Sequence, residues 1–119
     1  MKIAISAFGA TLDDELNPRL GRCEYFVIYD SVLGSVCSVE NLGRFSTGAA
    51  GIATAKVLSD NEVEVVITGN VGPNAFTALE AAGIRVYIGA LGKIKNVVQD
   101  YQDGKLTKAS GPNVGPHSH

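Results

Sequence analysis

Short apolar runs separated by turn residues occupy the first third of the chain. Residues 2–8 are largely apolar and end at Gly9, while residues 25–30 and 36–40 are rich in β-branched and aromatic side chains and are joined by a short turn. Such runs are typical of β-strands, and the second and third predict an antiparallel hairpin. The segment 10–24 is polar and has no sustained period, so it predicts a long loop.

Helix and strand patterns alternate in the remainder of the chain. Apolar residues recur at helical spacing over residues 48–58, 73–82 and 93–101, and short apolar runs at 63–68 and 84–88 separate these segments. Because crossovers between parallel strands are right-handed, the two runs predict strands parallel to the first. The sequence therefore predicts an α/β fold with a mixed five-stranded sheet in the order 3-2-1-4-5, in which strand 2 is antiparallel and helices cover both faces.

The end of the chain differs in composition from the rest. Residues 104–119 contain Gly, Pro, Ser and Asn with little that could be buried. Such a segment gains too little from packing to offset its loss of conformational entropy. We therefore predict one domain over residues 1–103 and a flexible tail over residues 104–119.

Composition and charge narrow the class of partner. The hydrophobic fraction is 45%, and ten Lys and Arg against twelve Asp and Glu give a formal net charge of -2. This balance provides no general attraction for nucleic acid or for an anionic membrane surface. No apolar stretch approaches the length of a membrane span, and two cysteines suit a reducing compartment, so we expect a cytoplasmic protein.

Glycine is unusually frequent, at 14 of 119 residues. Ligands of open parallel sheets bind outside the carboxyl ends of the strands, and three such ends are rich in glycine here. Glycine lets backbone N–H groups approach a bound group, and the second of these segments leads into a helix amino terminus, which favours an anion. Ordinary strand-to-helix turns are the alternative explanation. The candidate binding residues in these segments are Gly69, Asn70, Gly72, Asn74, Gly89 and Gly92.

The predicted long loop contains a second group of candidates. Arg19 and Arg22 can bind a polyanion through forked hydrogen bonds, and a neighbouring positive charge is expected to lower the pKa of Cys23 toward a thiolate that binds soft metals. Asn17 completes this group. The alternative is that Cys23 is a small packing residue and the arginines are solvated, and packing is also the expected role of Cys37.

Two further segments give weaker signals. Residues 47–51 could form a backbone cradle at a helix start, but the Lys and Ser or Thr of a phosphate-binding loop do not follow. His117 and His119 could contribute to a metal site, although two ligands do not complete one and ordering a flexible tail is costly. A solvated tail is the alternative for this pair.

Several of these segments together resemble a known family. Residues 1–5, 17–26, 65–75 and 82–87 are similar, in this order, to the dinitrogenase iron-molybdenum cofactor biosynthesis family, which comprises NifX-like and NifB C-terminal-like domains. The resemblance covers about the first hundred residues. It implies a ribonuclease H-like three-layer fold and a role in binding or carrying iron-sulfur or iron-molybdenum clusters or their precursors, with a protein partner in cluster assembly as a further expectation.

The residue types disfavour catalysis. A two-metal nuclease needs carboxylates on the central strands, but residues 3–8 contain no Asp or Glu, and both histidines lie in the predicted tail, where a triad base has no fixed position. We therefore expect a non-enzymatic carrier or accessory factor for a metallocluster. The alternative is a module that binds a small anionic metabolite or nucleotide without metal, and a third possibility is an interaction subunit.

Overall fold

A computed structural model describes residues 1–46 and 49–115 of the chain. Two 3-10 helices, Leu20–Arg22 and Leu42–Phe45, lie on either side of the second and third strands. The strands and helices are β1 (Lys2–Ala7), β2 (Tyr25–Asp30), β3 (Val36–Glu40), α1 (Ala50–Asp60), β4 (Val65–Ile67), α2 (Pro73–Ala81), β5 (Arg85–Ile88), α3 (Ile94–Gln102) and β6 (Thr107–Lys108).

All strands belong to a single mixed sheet in the order β3-β2-β1-β4-β5-β6. Strand β1 is antiparallel to β2 and parallel to β4, which is in turn parallel to β5. Strand β3 pairs antiparallel with β2, as a hairpin requires. The predicted order of the first five strands and the antiparallel orientation of strand 2 are therefore confirmed.

The sheet has six strands, and the predicted number of five was wrong. The sixth, β6, lies in the segment expected to be a flexible tail, and it pairs antiparallel with β5. Ala109 follows it, is buried, and donates its N–H to the carbonyl of Val86 over 2.8 Å. Sequence reasoning missed this strand because it has only two residues, one of them Lys, and lacks an apolar run.

Two apolar cores lie on opposite faces of the sheet. Because side chains alternate along a strand, Ala4 of β1 belongs to one core while Ile3 and Ile5 belong to the other. Helices α1 and α2 cover the first face and α3 covers the second, so the prediction of helices on both faces is correct. The first core includes Phe26, Leu58, Val66, Leu79 and Val86, and the second includes Val27, Val65, Ile67, Ile94 and Val97.

Helices α1 and α2 approach each other closely near their amino ends. A Cβ added at Gly51 in the first turn of α1 would lie 2.9 Å from the Cβ of Ala75 in the first turn of α2. Only glycine permits this separation, and the contact places two helix amino termini side by side. In the described part of the chain, no helix has the length and apolarity needed to cross a membrane.

A buried polar network built on Asn41 joins the long loop to α1. The Nδ2 of Asn41 donates to the carbonyl of Cys23 over 3.1 Å, and its Oδ1 accepts from the N–H of Gly43 and from the hydroxyl of Thr54, each over 3.2 Å. The side chain is fully buried. Each of these bonds satisfies a polar group that water does not reach, so Asn41 fixes both 3-10 helices against α1.

We predict that Asn41→Ala lowers the free energy of unfolding by about 3 kcal/mol. A buried polar group left without a partner costs roughly 1–3 kcal/mol, and this substitution removes a partner of the Cys23 carbonyl, the Gly43 N–H and the Thr54 hydroxyl. Urea unfolding measures the change. Asn96→Ala is the matched control, since Asn96 is exposed on α3, and it should change stability by less than about 0.5 kcal/mol. Equal stability of the two variants would contradict the role given to Asn41.

Candidate functional site

The carboxyl ends of β1, β4 and β5 meet along one edge of the sheet, which we call the rim and define as residues 8–9, 16–19, 68–74 and 89–93. Hydrogen bonds join its parts directly. The N–H of Gly89 donates to the carbonyl of Gly69 over 3.0 Å, and that of Leu16 donates to Gly92 over 2.8 Å. The three glycine-containing segments and the long loop therefore lie together.

Buried hydroxyl groups beneath the rim form hydrogen bonds that connect its parts. The Oγ of Ser6 lies 2.6 Å from the carbonyl oxygen of Asn17 and 2.8 Å from the Oγ1 of Thr68, and all three residues are buried. This network connects β1, the long loop and the end of β4. Sequence reasoning did not identify Ser6 or Thr68, although a hydroxyl residue inside or directly after an apolar strand run was the available signal.

Packing and backbone conformation explain why glycine occurs at three positions of the rim. A Cβ at Gly69 would lie 2.6 Å from the Cβ of Pro18 and 2.9 Å from its Cα, so glycine is needed for the loop to pass. Gly89 and Gly92 have φ angles of 78° and 95°, in the left-handed region that favours glycine. Among the described residues, and apart from its chain neighbours, no atom lies within 4 Å of an added Cβ at either of these two positions. These glycines thus shape the turns, and the space beside Gly89 and Gly92 is open.

Helix α2 begins at the rim without a side-chain cap. Gly72 is its N-cap, Pro73 occupies the first turn, and the N–H of Phe76 makes the first intrahelical bond, to the carbonyl of Gly72. Asn74 is exposed in this first turn. The α1 terminus also lacks a side-chain cap at its N-cap, Ala49. The first-turn N–H groups of a helix attract negative charge.

The α3 amino terminus is different, because carbonyl groups of the long loop already accept hydrogen bonds from its first N–H groups. The N–H of Ile94 donates to the carbonyl of Asp14 over 2.9 Å, and that of Lys95 donates to Leu12 over 3.0 Å. The adjacent part of this loop is itself ordered, since the Thr11 hydroxyl and N–H both donate to the Asp14 carboxylate and lower its pKa. The helix termini that remain to attract an anion are therefore that of α2, in the rim, and that of α1, beside it.

The candidates of the long loop divide between the rim and the scaffold. Asn17 is buried, and its side chain donates to the carboxylate of Glu24 over 3.0 Å while accepting from the N–H of Arg19. Arg19 is exposed and forms a parallel β-bridge with Asn70, which places it on the rim. Arg22 instead donates to the carbonyl of Arg44 over 2.7 Å, which ties it to the second 3-10 helix.

The expected thiolate at Cys23 was wrong. Its side chain is fully buried, and its Sγ donates to the carbonyl of Leu20 over 3.3 Å. Desolvation raises the pKa of this thiol to about 12, against an ordinary value of 9.0. Cys23 is thus a protonated packing residue. Cys37, for which packing was expected, is exposed on β3.

No group of three or more His, Cys, Asp or Glu side chains is arranged to hold a metal ion within residues 1–46 and 49–115. The candidates His117 and His119 lie outside the described residues, as do Thr47 and Gly48 of the predicted cradle. The chain before the histidines is nevertheless fixed at the rim. Asn113 exchanges two hydrogen bonds with Val71: its Oδ1 accepts from the Val71 N–H over 2.7 Å, and its own N–H donates to the Val71 carbonyl over 3.0 Å.

Cavities occur elsewhere on the molecule. One of about 540 Å³ runs between α1 and α2, where Ile52, Ala55 and Ala78 contribute to its walls. Others of about 210 and 340 Å³ lie beside β5, at Phe76 and at Tyr87 respectively. None of the residues that line these three cavities belongs to the rim.

These features define a small α/β protein in which the carboxyl ends of the parallel strands, the long loop and the α2 amino terminus form one rim. The sequence model of the family described as dinitrogenase iron-molybdenum cofactor matches residues 1–104. The chain belongs to this family, and the resemblance inferred from the sequence is confirmed.

Two relatives of known structure share both fold and sequence with this chain, and a third relative shares its sequence. The apo form of the orange protein from Desulfovibrio gigas is 39% identical with a TM-score of 0.92, and the match covers 95% of this chain and 96% of that one. A Thermotoga protein provisionally assigned as NifB is 36% identical with a TM-score of 0.80, over 90% and 91% of the two chains. An uncharacterized protein of Methanocaldococcus jannaschii is 28% identical over 91% of this chain and 95% of its own length.

The contact between Gly69 and Pro18 predicts a selective effect of adding one methyl group. Gly69→Ala should lower the free energy of unfolding by about 2 kcal/mol, the usual cost of overpacking, because Pro18 must move. Gly111→Ala is the control, since no atom lies within 4 Å of its added Cβ, and it should stay within about 0.5 kcal/mol of the unmodified protein. Thermal and urea unfolding measure both variants, and a neutral Gly69→Ala would contradict the close packing.

The raised pKa of Cys23 predicts a dependence of stability on alkaline pH. Between pH 9 and about 12 the folded protein keeps a proton on this thiol that the unfolded chain releases. The free energy of unfolding should therefore fall as pH rises through this window, by up to about 1.4 kcal/mol per unit. Urea unfolding on both sides of pH 9 should show a steeper decline for the unmodified protein than for Cys23→Ala. Identical slopes would mean that the thiol titrates normally.

Proposed function

We propose that this protein is a non-enzymatic carrier of, or accessory factor for, an iron-sulfur or iron-molybdenum cluster or its precursor. The single observation behind the proposal is the donor set of the rim. The α2 amino terminus lies in the rim with the α1 amino terminus beside it, and neither N-cap residue makes a side-chain cap. Arg19 and Asn70 form a β-bridge in the same rim. Such donors suit a compact anion, and membership of the family supports a metallocluster as that anion.

The chemistry of the donors limits how such a cargo is held. Metal ions of clusters take thiolate or imidazole ligands, whereas N–H groups and guanidinium bind the sulfur atoms and the negative charge of a cluster. Cys23 is excluded from the ligand set because its thiol is buried and protonated. We infer that the cargo arrives preassembled with its own ligands and is bound through hydrogen bonds and charge. The proposed rim contacts are Arg19, Gly69, Asn70, Gly72, Asn74, Gly89 and Gly92.

The tail histidines enter the proposal as additional donors. Asn113 is held at the rim by Val71, and its Nδ2 also lies 3.3 Å from the carbonyl of Gly69. His117 and His119 lie outside the described residues, and the proposal includes their imidazoles as additional metal ligands.

Other expectations belong to the same proposal. A cytoplasmic location suits a cargo that needs a reducing environment. The three layers and the order of the first five strands support the ribonuclease H-like classification, to which β6 is an addition. The partner is then a protein of cluster assembly that delivers or receives the cargo.

A module for a small anionic metabolite or nucleotide is the second candidate. It is favoured because no group of three metal-ligating side chains occurs in the described part of the chain. The same rim donors would bind phosphate or carboxylate groups. The two candidates therefore share a location and differ in whether the ligand contains metal.

We predict that Arg19→Gln weakens anaerobic uptake of a preassembled iron-sulfur cluster that carries its own thiolate ligands. Losing one charge-assisted hydrogen bond costs roughly 1.5–3 kcal/mol, so the affinity should fall about tenfold or more. Visible absorption and metal content of the desalted protein measure uptake. Arg85→Gln removes the same charge from an exposed site at the amino end of β5, and it should retain full uptake.

Three results test the two candidates. Equal uptake by both arginine variants would remove the rim from the proposal, and no uptake by the unmodified protein would overturn the carrier function. A thermal shift with nucleotides or organic acids that persists in the presence of a chelator would favour the second candidate. A double substitution of His117 and His119 by Ala tests the tail separately, because it leaves the rim donors intact.

A further inference from the structure

Strand β3 is an open edge of the sheet, and it lacks two of the usual protections of such edges. Its five residues are Val-Cys-Ser-Val-Glu, and it contains no Lys or Pro. The opposite edge, β6, has only two residues and ends in Lys108. Short length and Lys are two of the devices by which proteins prevent edge strands from pairing with other chains. Strand β3 has neither.

The backbone groups that β3 leaves unpaired can be identified from its register with β2. The N–H of Asp30 donates to the carbonyl of Ser35 over 2.9 Å, and that of Asn41 donates to Glu24 over 2.9 Å. Hydrogen-bonded pairs alternate along an antiparallel ladder, so Cys37 and Val39 also bond to β2. The N–H and carbonyl groups of Val36, Ser38 and Glu40 consequently point away from β2.

We propose that β3 pairs antiparallel with β3 of a second copy of this chain, about a two-fold axis at Cys37. In this register Val36 of one copy stands opposite Ser38 of the other, and the reverse pair forms by symmetry. Both residues have outward N–H and carbonyl groups, so each pair makes two hydrogen bonds. The edge is therefore complementary to itself, and the two six-stranded sheets become continuous.

In this arrangement Cys37 of one copy stands opposite Cys37 of the other. The pair is of the type without backbone hydrogen bonds, in which the two Cα atoms are about 4.5 Å apart. A disulfide tolerates Cα separations of about 4.4–6.8 Å, so the two thiols are within bonding range. Cys37 is exposed, whereas Cys23 is buried, and only the former can react across the interface.

Apolar side chains lie beyond both ends of the paired strands. Val32 and Leu33 in the β2–β3 turn are 78% and 77% exposed, and Leu42 after β3 is 63% exposed. Continuing the same register brings Val32 of one copy toward Leu42 of the other, so these residues would shield each other from water. The charged residue of the strand, Glu40, stands opposite Gly34 and meets no like charge.

The association itself is tested by sedimentation equilibrium of the full chain under reducing conditions. We expect a reversible dimer with a dissociation constant in the micromolar to millimolar range, as is usual for small interfaces. Ser38→Pro removes an outward N–H without touching the ladder to β2, and it should weaken the dimer at least about tenfold. Ser38→Ala keeps that N–H and should dimerise normally. A monomer at all concentrations, or equal association of the two variants, would overturn the proposal.

The register is tested with oxidised glutathione as the electron acceptor. Two Cys37 thiols and one oxidised glutathione give one intermolecular disulfide and two reduced glutathione molecules, so atoms and electrons balance. We expect a covalent dimer that contains only Cys37, that Cys37→Ser abolishes and that Ser38→Pro forms much more slowly. A noncovalent dimer that does not cross-link would exclude the two-fold at Cys37, and equal cross-linking by Ser38→Pro would show random collision.

Discussion

The close contact between Pro18 and Gly69 determines where the long loop lies, and the rest of the rim depends on that position. With Pro18 against the end of β4, its carbonyl accepts from the N–H of Asn70 over 2.8 Å, and Arg19 is held beside the same residue. The buried hydroxyls of Ser6 and Thr68 then close the space beneath the loop. A loop with little regular structure is thereby fixed by hydrogen bonds to the ends of β1 and β4.

Much of the architecture could be predicted because it depends on local patterns. The bounds of β2 and β3 agree with the apolar runs, and α2 starts at the proline that marks its first turn. The sequence also predicted that the glycine segments lie together, because parallel strands end at a common edge of the sheet. What could not be predicted depends on partners distant in sequence. Strand β6 exists because β5 offers it an edge, and Asn41 is buried because α1 covers it.

The two cysteines show the same limit in chemical terms. Neighbouring arginines indicated a reactive thiol at Cys23, and strand alternation indicated a buried one at Cys37. The fold reverses these environments. The first 3-10 helix turns Cys23 into the core, where desolvation outweighs any nearby charge, whereas Cys37 lies on the outermost strand. Solvent exposure is a property of the assembled structure, and no local sequence pattern reports it for a single side chain.

The anchoring of Asn113 has a practical consequence for handling this protein. Its side chain and backbone fasten the carboxyl-terminal segment beside Val71, whereas the amino group of Met1 lies at the other end of β1, 4.0 Å from Asp30. A polyhistidine purification handle fused behind residue 119 would add imidazoles to a segment that is anchored at the rim through Asn113, and such imidazoles bind iron by themselves. The same handle placed before Met1 would lie at the opposite end of β1, so it would add no imidazoles to the proposed cargo surface.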